Sequence, residues 1–141
     1  MSFDRLIEAI DRLSNPTVAG LDARLEMIPD WIKQQAFQEY GQTLEGAAEA
    51  VLRYNRGLID ALCDIVPAVK PQCAYYELLG WPGVRVLFET IQYAQQKGMF
   101  VITDAKRNDI GSTMEAYAQG HLGSVKVGEE SAQGLSWSRR C

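Results

Sequence analysis

A chain of 141 residues, 47% of them hydrophobic and 23% charged, has the length and composition of a globular domain with one modest core, which excludes disordered and fibrous classes. A net charge of -4 and a pI near 5.0 speak against nucleic acid or an acidic lipid surface as partner, because both reward clustered Lys and Arg, and leave a small solute as the expected ligand. Cys63, Cys73 and Cys141 are odd in number, widely spaced and free of any Cys-x-x-Cys pair, so neither a disulfide framework nor a zinc site is indicated and a reducing cytoplasm is expected. Charged and apolar residues alternate over positions 4–12, unlike a signal peptide, and no apolar run approaches the roughly 20 residues that cross a bilayer, so a soluble protein is expected.

Leu6, Ile7, Ile10 and Leu13 fall on one helical face, and Asn15-Pro16 should stop that helix, since proline disfavours a helical residue before it. Residues 17–22 are apolar or β-branched and end in Asp22, which predicts a first strand leading into a loop region through Arg24, Pro29 and Trp31. Thr43 is a plausible N-cap. From it Leu44, Ala48, Val51, Leu52, Leu58, Ile59 and Leu62 recur at helical spacing, predicting a long amphipathic helix up to Val66. Ala68 to Lys70, clipped between Pro67 and Pro71, reads as a very short strand that again ends in a charge. After an aromatic segment with Tyr75, Tyr76 and Trp81, the positions Val84, Leu87, Phe88 and Ile91 predict a helix capped by Gly98. Residues 99–103 form a continuous apolar run, the pattern of a strand buried on both faces, and lead into Asp104-x-Lys106-x-x-Asp109. Residues 113–122 can supply one more helix.

Strands alternating with helices imply a parallel sheet with right-handed crossovers, and charged strand exits mark the face on which TIM barrels carry their chemistry. Three βα units are legible, whereas a barrel needs eight and about 250 residues. The fold class expected is therefore α/β, the first three parallel βα units of a partial (β/α)8 TIM barrel over residues 1–130, rather than a small three-stranded α/β sandwich. Residues 131–141 lack acidic side chains and periodicity and are expected to be an atypical, disordered tail, with a shifted reading frame near Glu130 as one origin.

The chemistry should sit at the strand exits. Residues two apart on a strand share a side, so Asp104 and Lys106 should project together, with Asp109 following in the loop. Asp and Lys ending one strand can be an ordinary structural ion pair. With Asp22 and Lys70 ending the other two strands, five charged groups converge on one mouth, and that set favours function. Carboxylates alternating with ammonium groups in a dry pocket suit a reaction that builds negative charge on carbon and then delivers a proton. Lys106 is the natural donor, with neighbouring aspartates favouring its charged form. No metal-ligand set is apparent. His121, the sole histidine, reads as an ordinary, partly exposed helix side chain, and the cysteines read as structural, Cys63 on a helix and Cys73 in a loop.

The segment from Asp104 through Lys106 and Asp109 to Thr113 resembles the Asp-x-Lys-x-x-Asp signature of orotidine 5'-monophosphate decarboxylases. Val18-Ala-Gly-Leu-Asp22-x-Arg24 and Val69-Lys70-Pro-Gln72 are similar to that family's first and second strand segments. Tyr75-Tyr76-Glu77 followed by Gly80-Trp81 resembles its bacterial subgroup with a long first loop. The resemblance covers residues 1 to about 130 and implies conversion of orotidine 5'-monophosphate to uridine 5'-monophosphate in pyrimidine biosynthesis, without a cofactor. By the same resemblance, Asp104 presses its charge toward the substrate carboxylate and Lys106 protonates C6. Asp22 and Lys70 hold the ribose hydroxyls and the charge network, while Asp109 and Thr113 reach into a second subunit's site, which implies a homodimer. The family's phosphate-gripping residues come from later strands, so these residues alone are expected to be inactive. Two alternatives stand beside this reading. One is a related, magnesium-using sugar-phosphate decarboxylase, against which the region from Tyr75 to Trp81 argues. The other is a non-catalytic barrel fragment that self-associates through open sheet edges.

Overall fold

The computed structural model of the chain describes residues 2–134. Residues to Asp104 form one compact unit and those from Ala105 a second. In the first unit, helix α1 (Ser2–Leu13) leads to strand β1 (Val18–Leu21), and a single 3-10 turn at Leu25–Met27 leads to α2 (Asp30–Tyr40). Then come α3 (Leu44–Leu62), β2 (Ala68–Pro71), the short α4 (Cys73–Glu77), α5 (Gly80–Gln96) and β3 (Phe100–Val101). The strands lie in the order β1-β2-β3 and are parallel, with Val18 opposite Ala68 and Ala68 opposite Phe100.

Helix α3 starts where its sequence says it should. The Thr43 side chain accepts a hydrogen bond from Gly46 N at 3.1 Å, satisfying one of the backbone donors left open in the first turn. Thr43→Ala is therefore expected to cost about 1 kcal/mol, read as a lowered denaturation midpoint at unchanged m-value. The helix ends at Leu62, with Cys63 as its C-cap, four residues short of the expected Val66. The Val66 side chain instead joins Leu21, Ile59, Val69, Ala94 and Met99 in a buried cluster between the sheet and the helices. Ala47, Ala48, Val51, Leu52 and Ile59 form the buried stripe, and the small alanines let neighbouring helices approach closely.

Gly98 closes α5 as expected. It takes φ 79°, with Gly98 N donating to Gln95 O and Met99 N to Ala94 O, the paired bonds of a Schellman motif, in a backbone region that favours glycine.

Four further expectations need correction in this unit. The segment read as a loop through Trp31 contains α2, whose inward face is only Ile32 and Ala36, too sparse a stripe to signal a helix; Pro29 O accepts from both Ile32 N and Lys33 N to start it. Cys73 lies in α4, not in a loop, and is buried. In α1 the residue that buries is Ala9, while Ile7 of the expected face is exposed. Strand β3 is half-buried rather than buried on both faces, because it is an outer strand of the described sheet. Its parallel ladder nevertheless continues: Ile102 N bonds Val69 O, Asp104 N bonds Pro71 O, and Cys73 N bonds Asp104 O.

The second unit holds α6 (Gly111–Leu122) and an antiparallel hairpin of β4 (Ser124–Val127) and β5 (Glu130–Gln133), turned through Gly128 at φ 64°. Residues 131–133, placed in the tail by sequence, thus pair as a strand. Backbone bonding supplies order there that side-chain periodicity did not announce. The rest of the tail, residues 135–141, lies outside the described residues. His121 is half-buried near the end of α6. Among the described residues no helix is long and apolar enough to cross a membrane.

Candidate active site

Three parallel strands in one sheet deliver their C-terminal ends to the same edge, so residues that follow them meet even when far apart in sequence. Asp22 follows β1, Lys70 lies near the C-terminal end of β2, and Asp104 bridges to Gln72 beyond β3. Lys70 Nζ stands 3.6 Å from Asp22 Oδ1 and 3.5 Å from Asp104 Oδ2, an ammonium shared by two carboxylates. Side-chain exposure falls across the array, 51% for Asp22, 35% for Lys70 and 23% for Asp104. Ion pairs this open to water are each worth about 0–1 kcal/mol, so these two pairs add little to folding.

Asp104 has a closer neighbour than Lys70. Gln72 Nε2 donates to Asp104 Oδ2 at 2.7 Å, and Gln72 Oε1 accepts from Ala74 N at 3.5 Å as the N-cap of α4. Beneath the array runs a fully buried polar network. Asn55 Nδ2 donates to Tyr76 Oη at 2.9 Å and to Thr90 Oγ1 at 3.1 Å, while Tyr76 Oη donates to Leu21 O at 3.2 Å. Burial pushes the Tyr76 phenol well above its ordinary range, which keeps it a hydrogen-bond donor. It ties α3 and α4 to the carbonyl immediately before Asp22. Gly83 on α5 makes this packing possible, since a Cβ there would collide with Tyr76 O.

Sequence spacing thus brought Asp22, Lys70 and Asp104 to one edge, and the structure places them in contact. It missed Gln72, Asn55 and Thr90. A signal for Asn55 existed: it stands four residues from both Val51 and Ile59 on an otherwise apolar stripe. Nothing in the spacing distinguished Gln72.

The other three residues belong to the second unit. Lys106 takes φ 50°, in the left-handed region that a lysine rarely adopts, so strand alternation does not carry through it and the shared side inferred from spacing loses its basis. Asp109 Oδ1 accepts from Ile110 N at 2.8 Å just ahead of α6, and Thr113 is exposed in that helix's first turn. Arg107 donates to Ala105 O at 2.7 Å and stacks its guanidinium 5.7 Å from the Tyr117 ring centre. Among the described residues no three His, Cys, Asp or Glu side chains are gathered as a metal site.

Charged groups at the carboxyl edge of a parallel sheet, with helices as crossovers, are the arrangement on which barrel-type α/β proteins carry their chemistry. Residues 53–133 match the model of the orotidine 5'-phosphate decarboxylase / HUMPS family, more than half of the chain, and the chain belongs to that family. It is similar to a protein of Rhodopirellula baltica named orotidine 5'-phosphate decarboxylase, with 43% identity over 122 residues, 86% of this chain and 39% of that protein. A Caldicellulosiruptor saccharolyticus protein of the same name is 35% identical over 124 residues, 88% of this chain and 41% of its own length. Among solved structures, a Streptomyces avermitilis protein provisionally assigned as an orotidine 5'-phosphate decarboxylase superposes with a TM-score of 0.68 at 36% identity, over 86% of this chain and 38% of that one. The parallel strands and their helices are accordingly part of a (β/α)8 barrel, and the chain spans about two fifths of the length of the relatives it matches.

Proposed function

We propose that the protein carrying these residues decarboxylates orotidine 5'-monophosphate to uridine 5'-monophosphate, as a cytoplasmic homodimer in pyrimidine biosynthesis. The observation that carries this reading is the carboxylate–ammonium–carboxylate array of Asp22, Lys70 and Asp104 at the strand exits, in a chain whose relatives bear that enzyme's name. Asp104 faces the substrate carboxylate. The bond from C6 to that carboxylate breaks, carbon dioxide leaves, and the electron pair stays on C6. Lys106 stabilises that charge and gives C6 its proton from Nζ. Asp22 and Lys70 bind the ribose hydroxyls and hold the charge network, while Asp109 and Thr113 complete the site of the second subunit.

No cofactor enters this reaction, since a fixed field and one proton donor meet its needs. Remote binding energy matters too, because a non-reacting phosphate held firmly supports the transition state at the reacting carbon. In this family the phosphate grip comes from later strands. The 141 residues on their own are therefore expected to show no turnover, and a longer form carrying them is expected to release carbon dioxide from orotidine 5'-monophosphate at a rate unaffected by chelators. Turnover of a keto-sugar phosphate that needs magnesium, with none of the orotidine compound, would replace this reading with the sugar-phosphate one.

A further inference from the structure

Gln72 stands between the charged array and the start of α4, and its one carboxamide serves both. Its Nε2 donates to Asp104 Oδ2 at 2.7 Å, while Lys70 Nζ reaches the same oxygen only at 3.5 Å. Its Oε1 takes the α4 capping bond from Ala74 N. The backbones are locked together as well, through the parallel bridge between Gln72 and Asp104 and the bonds from Asp104 N to Pro71 O and from Cys73 N to Asp104 O. A carboxylate on a fixed backbone still turns about its side-chain bonds, and a short hydrogen bond holds its angle. The 2.7 Å bond from Gln72 comes from a neutral donor. An amide orients the carboxylate without cancelling its charge, whereas an ammonium at the same distance would offset that charge and pull the oxygen toward Lys70.

We propose that Gln72 is a positioning residue that aims the Asp104 carboxylate by donating to Oδ2 from a group that adds no charge of its own. The purpose of that held charge rests on the decarboxylase reading; the hydrogen bond and its polarity do not.

Gln72→Glu tests the polarity. Glutamate keeps the shape and the acceptor that caps α4, and its charge is welcome at a helix N-terminus, so a Gln72 that merely caps predicts an equal or higher melting temperature at every pH. A Gln72 that donates to Asp104 predicts otherwise. Two facing carboxyls cannot both ionise cheaply, so the folded pair retains a proton at pH values where the unfolded chain has lost it. A carboxyl group raised in the folded state contributes fully below its unfolded value and loses that contribution as pH rises through its folded one. Groups near the pair include Lys70 from β2, Asp22 beyond it from β1, and the buried Cys73 on α4; Lys70 softens the repulsion without supplying a proton donor at 2.7 Å.

The variant is expected to melt with the wild-type chain near pH 4 and about 3 °C or more below it near pH 7. Adding Asp104→Asn reverses donor and acceptor and should restore a flat difference. An equal melting difference at both pH values, or no restoration by Asp104→Asn, overturns the proposal. Should Gln72→Glu fail to fold, the side-chain amide resonances of Gln72 in the wild-type chain decide. They are expected to shift with pH between about 3 and 7, and Asp104→Asn to abolish the shift; resonances that do not respond overturn the proposal. None of these readouts uses turnover, so a failed decarboxylase assay leaves them standing.

Discussion

Replacing Lys106 with alanine is expected to lower kcat for orotidine 5'-monophosphate by about 10²–10⁴-fold, the usual contribution of a positioned proton donor, in a form of the protein that turns the substrate over. The loss should fall on kcat and kcat/KM alike, because the proton and the charge at C6 are needed only as the carbanion develops. Arginine should not rescue it: a guanidinium keeps the positive charge but does not surrender its proton at neutral pH. Lys106 takes φ 50°, and alanine in the same left-handed conformation is no easier to accommodate, so the substitution neither relieves nor adds backbone strain. The lysine is also exposed. Its melting temperature should therefore stay near that of the wild type, which separates a chemical loss from an unfolded site. A kcat within about tenfold of wild type would remove Lys106 as the donor.

Tyr76→Ala is expected to destabilise the first unit by about 3–5 kcal/mol, measured by denaturant unfolding of the chain. Tyr76 is fully buried, and its removal leaves a cavity where its ring reaches toward Asn55 and Leu21 O. It also strips a hydrogen-bond partner from Asn55 and the donor from Leu21 O, and buried polar groups left unpaired add their desolvation cost. Tyr76→Phe isolates that second part. It keeps the ring and should cost about 1–3 kcal/mol. Because Leu21 O directly precedes Asp22, the hydroxyl also fixes the chain at the point where the first carboxylate of the array begins. A phenylalanine variant as stable as the wild type would show that the network carries no weight.

What could be read from the sequence was what neighbours along the chain decide. Thr43 caps α3 through a bond three residues away, Gly98 ends α5 through its own backbone freedom, and the apolar stripe of α3 repeats at the helical period. The alternation of strand and helix implied a parallel sheet, and a parallel sheet puts its C-terminal ends on one edge, which is why Asp22, Lys70 and Asp104 could be grouped before their contacts were known. Helix α2 escaped because Ile32 and Ala36 gain their meaning only from the surface of α3 that they cover.

The remainder belonged to the tertiary structure. Spacing suggested that Asp104 and Lys106 share a strand face, yet the left-handed turn at Lys106 breaks the alternation on which that inference stood. Gln72 stood in a family-like segment with no role of its own until register set it opposite Asp104, 32 positions away, and Asn55 had none until Tyr76 and Thr90 closed around it. Local sequence carries backbone preference and burial period, so it determined the capped and strongly periodic elements and the edge where charge collects. Which oxygen meets which donor depends on distances between segments remote in sequence, and only the packed chain decides those.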